Sequence, residues 1–126
     1  MKRKTLLTYF LTAMITGISI FAAMALYLRP AALDFFNVDL NTVSDGEYIG
    51  ICQNKILFAV VKVEIKDHRI ANIDILEHKK SYMGQARLFA DKVISAQSLE
   101  ADAVSGATLT SDTVRKAIEN ALKQGE

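Results

Sequence analysis

Val61-Lys62-Val63-Glu64-Ile65-Lys66 and, after a gap of four residues, Ala71-Asn72-Ile73-Asp74-Ile75 decide the fold. In each stretch apolar and polar side chains alternate with a period of two, which puts one set on a buried face and the other on a wet face of a strand. Asp67-His68 between them suits a tight hairpin turn, although glycine in the second place would suit it better. Upstream, Glu47-Tyr48-Ile49-Gly50-Ile51 is a further strand candidate. Three such segments in a row predict an antiparallel meander with one solvated face.

Beyond Ile75 the period changes. Tyr82, Ala86, Phe89, Ala90, Val93 and Ile94 fall on one stripe of a helix, and so do Val114, Ala117, Ile118, Ala121 and Leu122, with Arg115, Lys116, Glu119 and Lys123 elsewhere on the second helix. A small antiparallel sheet covered on one face by two helices is an α+β domain, and residues 45–126 are its extent.

The N-terminal quarter is different in kind. Thr5 to Leu28 are 24 consecutive uncharged residues, 18 of them apolar, and Met1-Lys2-Arg3-Lys4 precede them. As a helix the run reaches ~36 Å, enough to cross a hydrocarbon layer of ~30 Å with some tilt. Three basic side chains lie ahead of it and only Arg29 closely behind, so the positive-inside bias leaves the N-terminus in the cytoplasm and exports the rest. The expectation is a single-pass transmembrane anchor over residues 1–29, ended at Arg29-Pro30 because proline cannot continue a helix. Ala23-Met24-Ala25 also offers a small-x-small cleavage site, but the apolar run ahead of it exceeds the ~7–15 residues usual in a signal peptide. Either way the domain lies outside, on an extracellular or periplasmic face. Residues 30–44 read as a connector, with Leu33, Phe35 and Phe36 placed to meet the bilayer interface.

The whole-chain charge of +1 hides an asymmetry: residues 30–126 carry 11 Lys+Arg against 14 Asp+Glu, a net of −3. The basic character belongs to the anchor, and nothing points to a nucleic-acid partner. Cys52 is the sole cysteine, which excludes an internal disulfide, a c-type haem and a cysteine-ligated iron–sulfur cluster; an isolated cysteine next to Ile51 reads as a packing residue. No spacing of ligands predicts a metal site.

Between the helices stands Asp102-Ala103-Val104-Ser105-Gly106-Ala107-Thr108-Leu109-Thr110-Ser111. It reads as a hydroxyl-rich loop running into a helix N-terminus, where backbone N–H groups lack intrahelical partners and the dipole end is positive. Such an end favours a phosphate, and Gly106 permits close backbone approach to a ligand. Ser105, Thr108 and Ser111 are candidate phosphate or loop hydrogen-bonders, and ordinary helix capping explains the same residue types.

The string Asp102-x-x-Ser105-Gly106-Ala107-Thr108-x-Thr110 resembles the flavinylation motif of the FMN-binding domain family, which includes the flavin-carrying subunits of the Nqr and Rnf redox-driven ion pumps. The likeness covers about 80 residues, from Asp45-Gly46-Glu47-Tyr48-x-Gly50 through the hairpin and Ile94-x-Ala96-Gln97-Ser98 to the final helix. It implies that FMN is bound, that Thr110 forms a phosphoester with it, and that Ser105, Gly106, Ala107, Thr108 and Leu109 surround the attachment. It further implies that a separate flavin transferase of the ApbE type makes the bond from FAD with a divalent metal, recognising Asp102. A threonine hydroxyl is a weak nucleophile without a base, and neither His68, in the hairpin turn, nor His78, after a strand, has an evident claim on Thr110. Tyr82 and Met83 are candidates to flank the flavin ring and also occupy core-like positions. The chain departs from the family at Gln53-Asn54-Lys55, where relatives carry a glycine-rich loop, and matches loosely over His78–Gly84.

Because no acid, base or metal set of its own accompanies the motif, the expected role is an electron carrier rather than a self-sufficient enzyme. It would relay electrons from a membrane donor, quinone-linked or protein, to an outer acceptor. Two other classes fit less of the sequence: a membrane-tethered interaction module with an unmodified loop, and a flavin-dependent reductase with its own small substrate.

Overall fold

Alternation over residues 61–66 and 71–75 becomes two neighbouring strands of one antiparallel sheet in the computed structural model, which describes residues 2–29 and 33–126. The strands are β1 (Gly46–Asn54), β2 (Leu57–Lys66) and β3 (Arg69–Glu77), in spatial order β1-β2-β3. Gly50 pairs with Val61 and Val63 with Ile73; irregularities in the β2–β3 ladder fall between Val60 and Val61 and between Glu64 and Ile65. In the Asp67-His68 turn both residues adopt left-handed φ, 53° and 58°. That conformation is uncommon outside glycine, and the neighbours support it. The Asp45 carboxylate accepts the His68 N–H (3.3 Å), and the His68 ring donates from Nδ1 to the Val43 carbonyl (3.0 Å).

Three α-helices accompany the sheet: α1 (Lys2–Leu28), α2 (Met83–Ala96) and α3 (Thr108–Lys123). Leu57, Ala59, Val61, Val63 and Ile65 of β2 point to the buried face, where α3 lies over β1 and β2, and α2 over β3. Phe89, Val93, Val114, Ile118 and Leu122 fill the space between. Gln97 ends α2 in a left-handed conformation, and its side chain behaves as a short extra strand partner. Its Oε1 accepts the Ile70 N–H (2.8 Å) and its Nε2 donates to the Ile70 carbonyl (2.9 Å), tying the end of α2 to β3. The outer sheet face carries Lys62, Glu64, Asn72 and Asp74, but it is not wholly polar: Ile49, Ile51 and Phe58 are exposed there.

α1 has a mean hydropathy of 1.9 over its best window and buries nothing against the rest of the chain, so it is long and apolar enough to span a bilayer. It ends at Leu28, and the proline expected to stop it lies outside the described residues, with the first part of the connector. The remainder of the connector is not held off at an interface. Leu33 and Phe35 pack against the core, Val38 and Val43 are buried in it, and of the three residues expected at the interface Phe36 alone stands exposed. Phe35 belongs there because the buried Arg115 guanidinium stacks between its ring (4.5 Å) and that of Phe89 (4.9 Å). Cys52 is free and buried on the inner face of β1, and burial pushes its thiol up.

Two quantities follow from this packing. A Cβ on Gly50 would collide with the Ala117 carbonyl and come within 2.8 Å of Ala121 Cβ. Neither backbone can yield, so Gly50→Ala is expected to cost ~3 kcal/mol or more in chemical unfolding of the detergent-solubilised chain. Glu119 is fully buried on α3, with Lys116 Nζ at 3.0 Å and Lys123 Nζ at 2.8 Å. Burial pushes its carboxyl up, but the two ion pairs, with Lys123 and Lys116, outweigh it and hold the group below its ordinary value. A depressed folded value means the stability is present above about pH 4.3 and lost as pH falls through the folded value. Unfolding curves from pH 7 downward should therefore show wild type losing stability relative to Glu119→Gln only below that point.

Candidate functional site

Thr110 lies on the same helical stripe as the core residues Val114, Ala117, Ile118 and Ala121, at intervals of four, seven, eight and eleven. Its side chain is thereby carried to the sheet side of α3, where it is 3 % exposed. The expectation of a loop through Ser111 is corrected: α3 begins at Thr108, and Thr110 sits in its first turn. Ala107 occupies the N-cap and supplies no side-chain hydrogen bond, so the first N–H groups are left uncapped by side chains.

The loop before α3 is built by a turn and a clamp. The Ala107 N–H donates to the Val104 carbonyl (2.9 Å), closing a four-residue turn whose third residue, Gly106, has φ +77°. A type II turn needs that positive φ, and glycine adopts it without strain. A Cβ there would meet nothing within 4 Å, so the turn, not crowding, calls for glycine. The Ser111 hydroxyl accepts the buried Val104 N–H (2.9 Å) and donates to the Ala107 carbonyl (2.8 Å). Of the candidate hydrogen-bonders, Ser111 is thus committed within the loop, whereas Ser105 and Thr108 are exposed.

His78, after β3, corrects the expectation that neither histidine bears on Thr110. It is 6 % exposed, its Nδ1 lies 2.7 Å from the Phe58 carbonyl and its Nε2 3.3 Å from Thr110 Oγ1. A carbonyl can only accept, so Nδ1 carries the proton and in the neutral ring Nε2 presents a lone pair. The Thr110 hydroxyl then donates to Nε2. Sequence spacing hid this pair, because 32 residues, the whole of α2 among them, separate its members.

Thr110, Leu109, Thr108, Ala107 and Gly106 line one side of a cavity of about 440 Å³; Ile56, Leu57, Lys79 and Tyr82 line the other. Tyr82 is half-exposed at its rim rather than in the core, in a short 3-10 turn (Lys80–Tyr82) ahead of α2. Lys79 Nζ lies 5.6 Å from the centre of the Tyr82 ring. Ser105 and Met83 are not among the lining residues. Asp102 is exposed and lines a separate shallow groove with Leu88, Asp91 and Lys92 of α2. The structure therefore gathers Gly106–Thr110 with Tyr82 and leaves Ser105, Asp102 and Met83 outside. Sequence reading missed Lys79, His78 and the Ile56-Leu57 hairpin end.

These residues fit a flavin nucleotide. The volume is in the range of small-molecule sites. An uncapped helix start and the Lys79 ammonium suit a phosphate, and Tyr82 with Ile56 and Leu57 offers apolar surface to a ring. Among the described residues no group of acidic, histidine and cysteine side chains could hold a metal ion. A family model described as FMN-binding domain matches residues 58–123, just over half of the 126-residue chain, from β2 to the end of α3. No curated protein matches the chain.

Removing the clamp leaves a buried N–H unsatisfied. Ser111→Ala should lower stability by ~1–3 kcal/mol, and hydrogen exchange should show faster exchange of the Val104 amide, beyond that global loss.

Proposed function

Because the chain belongs to the FMN-binding domain family, we propose that it is a membrane-anchored electron carrier whose FMN is joined by a phosphoester to Thr110. The observation that carries this reading is the Thr110 hydroxyl at the cavity wall, in the first turn of a helix with no side-chain cap. A phosphate esterified there would sit among backbone N–H donors and beside Lys79, while the cavity takes the ring. FMN supplies the reversible redox chemistry when bound; the chain supplies attachment, orientation and exclusion of water.

Several features support a carrier facing the membrane. Lys2, Arg3 and Lys4 ahead of α1 favour retention of the N-terminus in the cytoplasm and export of the domain, to a periplasmic or extracellular side. At the β1–β2 turn Lys55 Nζ lies 5.3 Å from the centre of the Tyr27 ring, and Ile56, 64 % exposed, shares a crevice with Met24, Ala25 and Leu28 of α1. Ile56 also lines the flavin-sized cavity. A site bordered by the end of the anchor suits electrons taken from a membrane donor, quinone-linked or protein, and passed to an outer acceptor. Covalent attachment keeps the flavin from diffusing away outside the cell. An ApbE-type transferase, using FAD and a divalent metal, would load it, and the exposed Asp102 is available for its recognition.

Co-expression with a flavin transferase tests the reading. After denaturing electrophoresis the wild-type band should fluoresce under ultraviolet light and carry the added mass of FMN, and the Thr110→Ala band should do neither. A dark wild-type band beside a transferase that loads another substrate would leave the unmodified interaction module as the better account.

A further inference from the structure

We propose that His78 is the base that activates Thr110 for its own flavinylation, so that the acceptor protein brings part of the catalytic apparatus to the transferase. The inference rests on the covalent reading above and goes beyond it. The Phe58 carbonyl fixes the imidazole: with Nδ1 protonated and donating over 2.7 Å, Nε2 is left bare, 3.3 Å from Thr110 Oγ1. That is the arrangement by which a hydroxyl nucleophile is activated, a base in reach and the base itself oriented by a third group; the separation is slightly long, as is usual before a reaction partner is bound.

Two further observations bear on it. Thr110 is one of four hydroxyl residues in the segment, with Ser105, Thr108 and Ser111. Ser105 and Thr108 are exposed and Ser111 is committed to Val104 and Ala107, so Thr110 is the member that meets an imidazole. The pairing thus singles out Thr110 among the four hydroxyls on geometry alone, apart from any motif. A threonine and a histidine at 3 % and 6 % exposure also cost stability unless each satisfies the other.

In the step itself, Thr110 Oγ1 forms a bond to the phosphorus of the FMN half of FAD. The bond from that phosphorus to the bridging pyrophosphate oxygen breaks, and AMP leaves with the electron pair. The hydroxyl proton passes to His78 Nε2. Nothing is oxidised or reduced, and the resulting imidazolium faces the anionic phosphodiester it helped to make.

The two ring nitrogens can be replaced separately. His78→Asn keeps a donor near the Nδ1 position for the Phe58 carbonyl but has no Nε2, and His78→Gln reaches toward Thr110 without being a base. With purified transferase and FAD, loading of the full chain is followed by intact mass. The maximal rate should fall about 10²-fold or more in both variants, while the chain concentration giving half-maximal rate stays within about two-fold of wild type. Wild-type loading with equally fast loading of either folded variant overturns the role of His78 and leaves covalent attachment standing. Failure to load wild type overturns both. Nitrogen NMR on the wild-type chain needs no variant: a protonated Nδ1 and bare Nε2 support the proposal, and the opposite tautomer overturns it.

Discussion

Everything at the site depends on how closely α3 lies against β1. At Gly50 the strand has no side chain, and the Ala117 carbonyl and Ala121 methyl occupy the place where one would be. This contact fixes the depth of α3 and its rotation about its own axis. Because helical phase is rigid over two turns, setting Ala117 against the sheet also sets Thr110, seven residues earlier, toward the sheet. A hydroxyl thus arrives inside the domain by the same geometry that buries Val114 and Ile118. Its depth puts it within reach of a histidine at the end of β3, whose ring is held in turn by a carbonyl at the start of β2. A glycine on one edge strand thus sets where Thr110 comes to lie, two turns away along the helix.

The loop before α3 complements this placement. Burying Val104 would strand its N–H, and the Ser111 hydroxyl removes that penalty while returning a bond to Ala107. The turn at Gly106 brings the chain back onto the helix start with little side-chain bulk. The result is an open end of α3 next to a cavity, where a conventional Ser or Asp cap at position 107 would have filled the first N–H groups. Alanine there leaves the helix start weaker as a helix and more useful as an anion site.

Much of the architecture was legible because two periodicities are clean. The period of two over residues 61–66 and 71–75 yields β2 and β3, and the stripe through Val114, Ala117 and Ile118 yields α3 with the face it buries. Read backward by one further turn, that stripe already includes Thr110, so its burial was present in the pattern although a loop was expected there. The Ser-Gly-Ala-Thr string masked it, since hydroxyl-rich segments usually lie outside helices. The connector failed for another reason: Phe35 looks like an interfacial aromatic until Arg115, 80 residues away, is seen stacked on it. His78 carried no local signal, because a lone histidine after a strand says nothing about what the fold brings to it.

Local and global charge also point in different directions. Residues 30–126 are net acidic at −3, which repels a free dianionic nucleotide in bulk and would make a weak reversible flavin site on this surface. Within the cavity the balance reverses, since Lys79 and the open end of α3 both line the place a phosphate would occupy. Such a site holds an anion well once it is there but does little to attract one from a distance. The covalent attachment proposed above would remove that capture problem, because a transferase would deliver the flavin to the site.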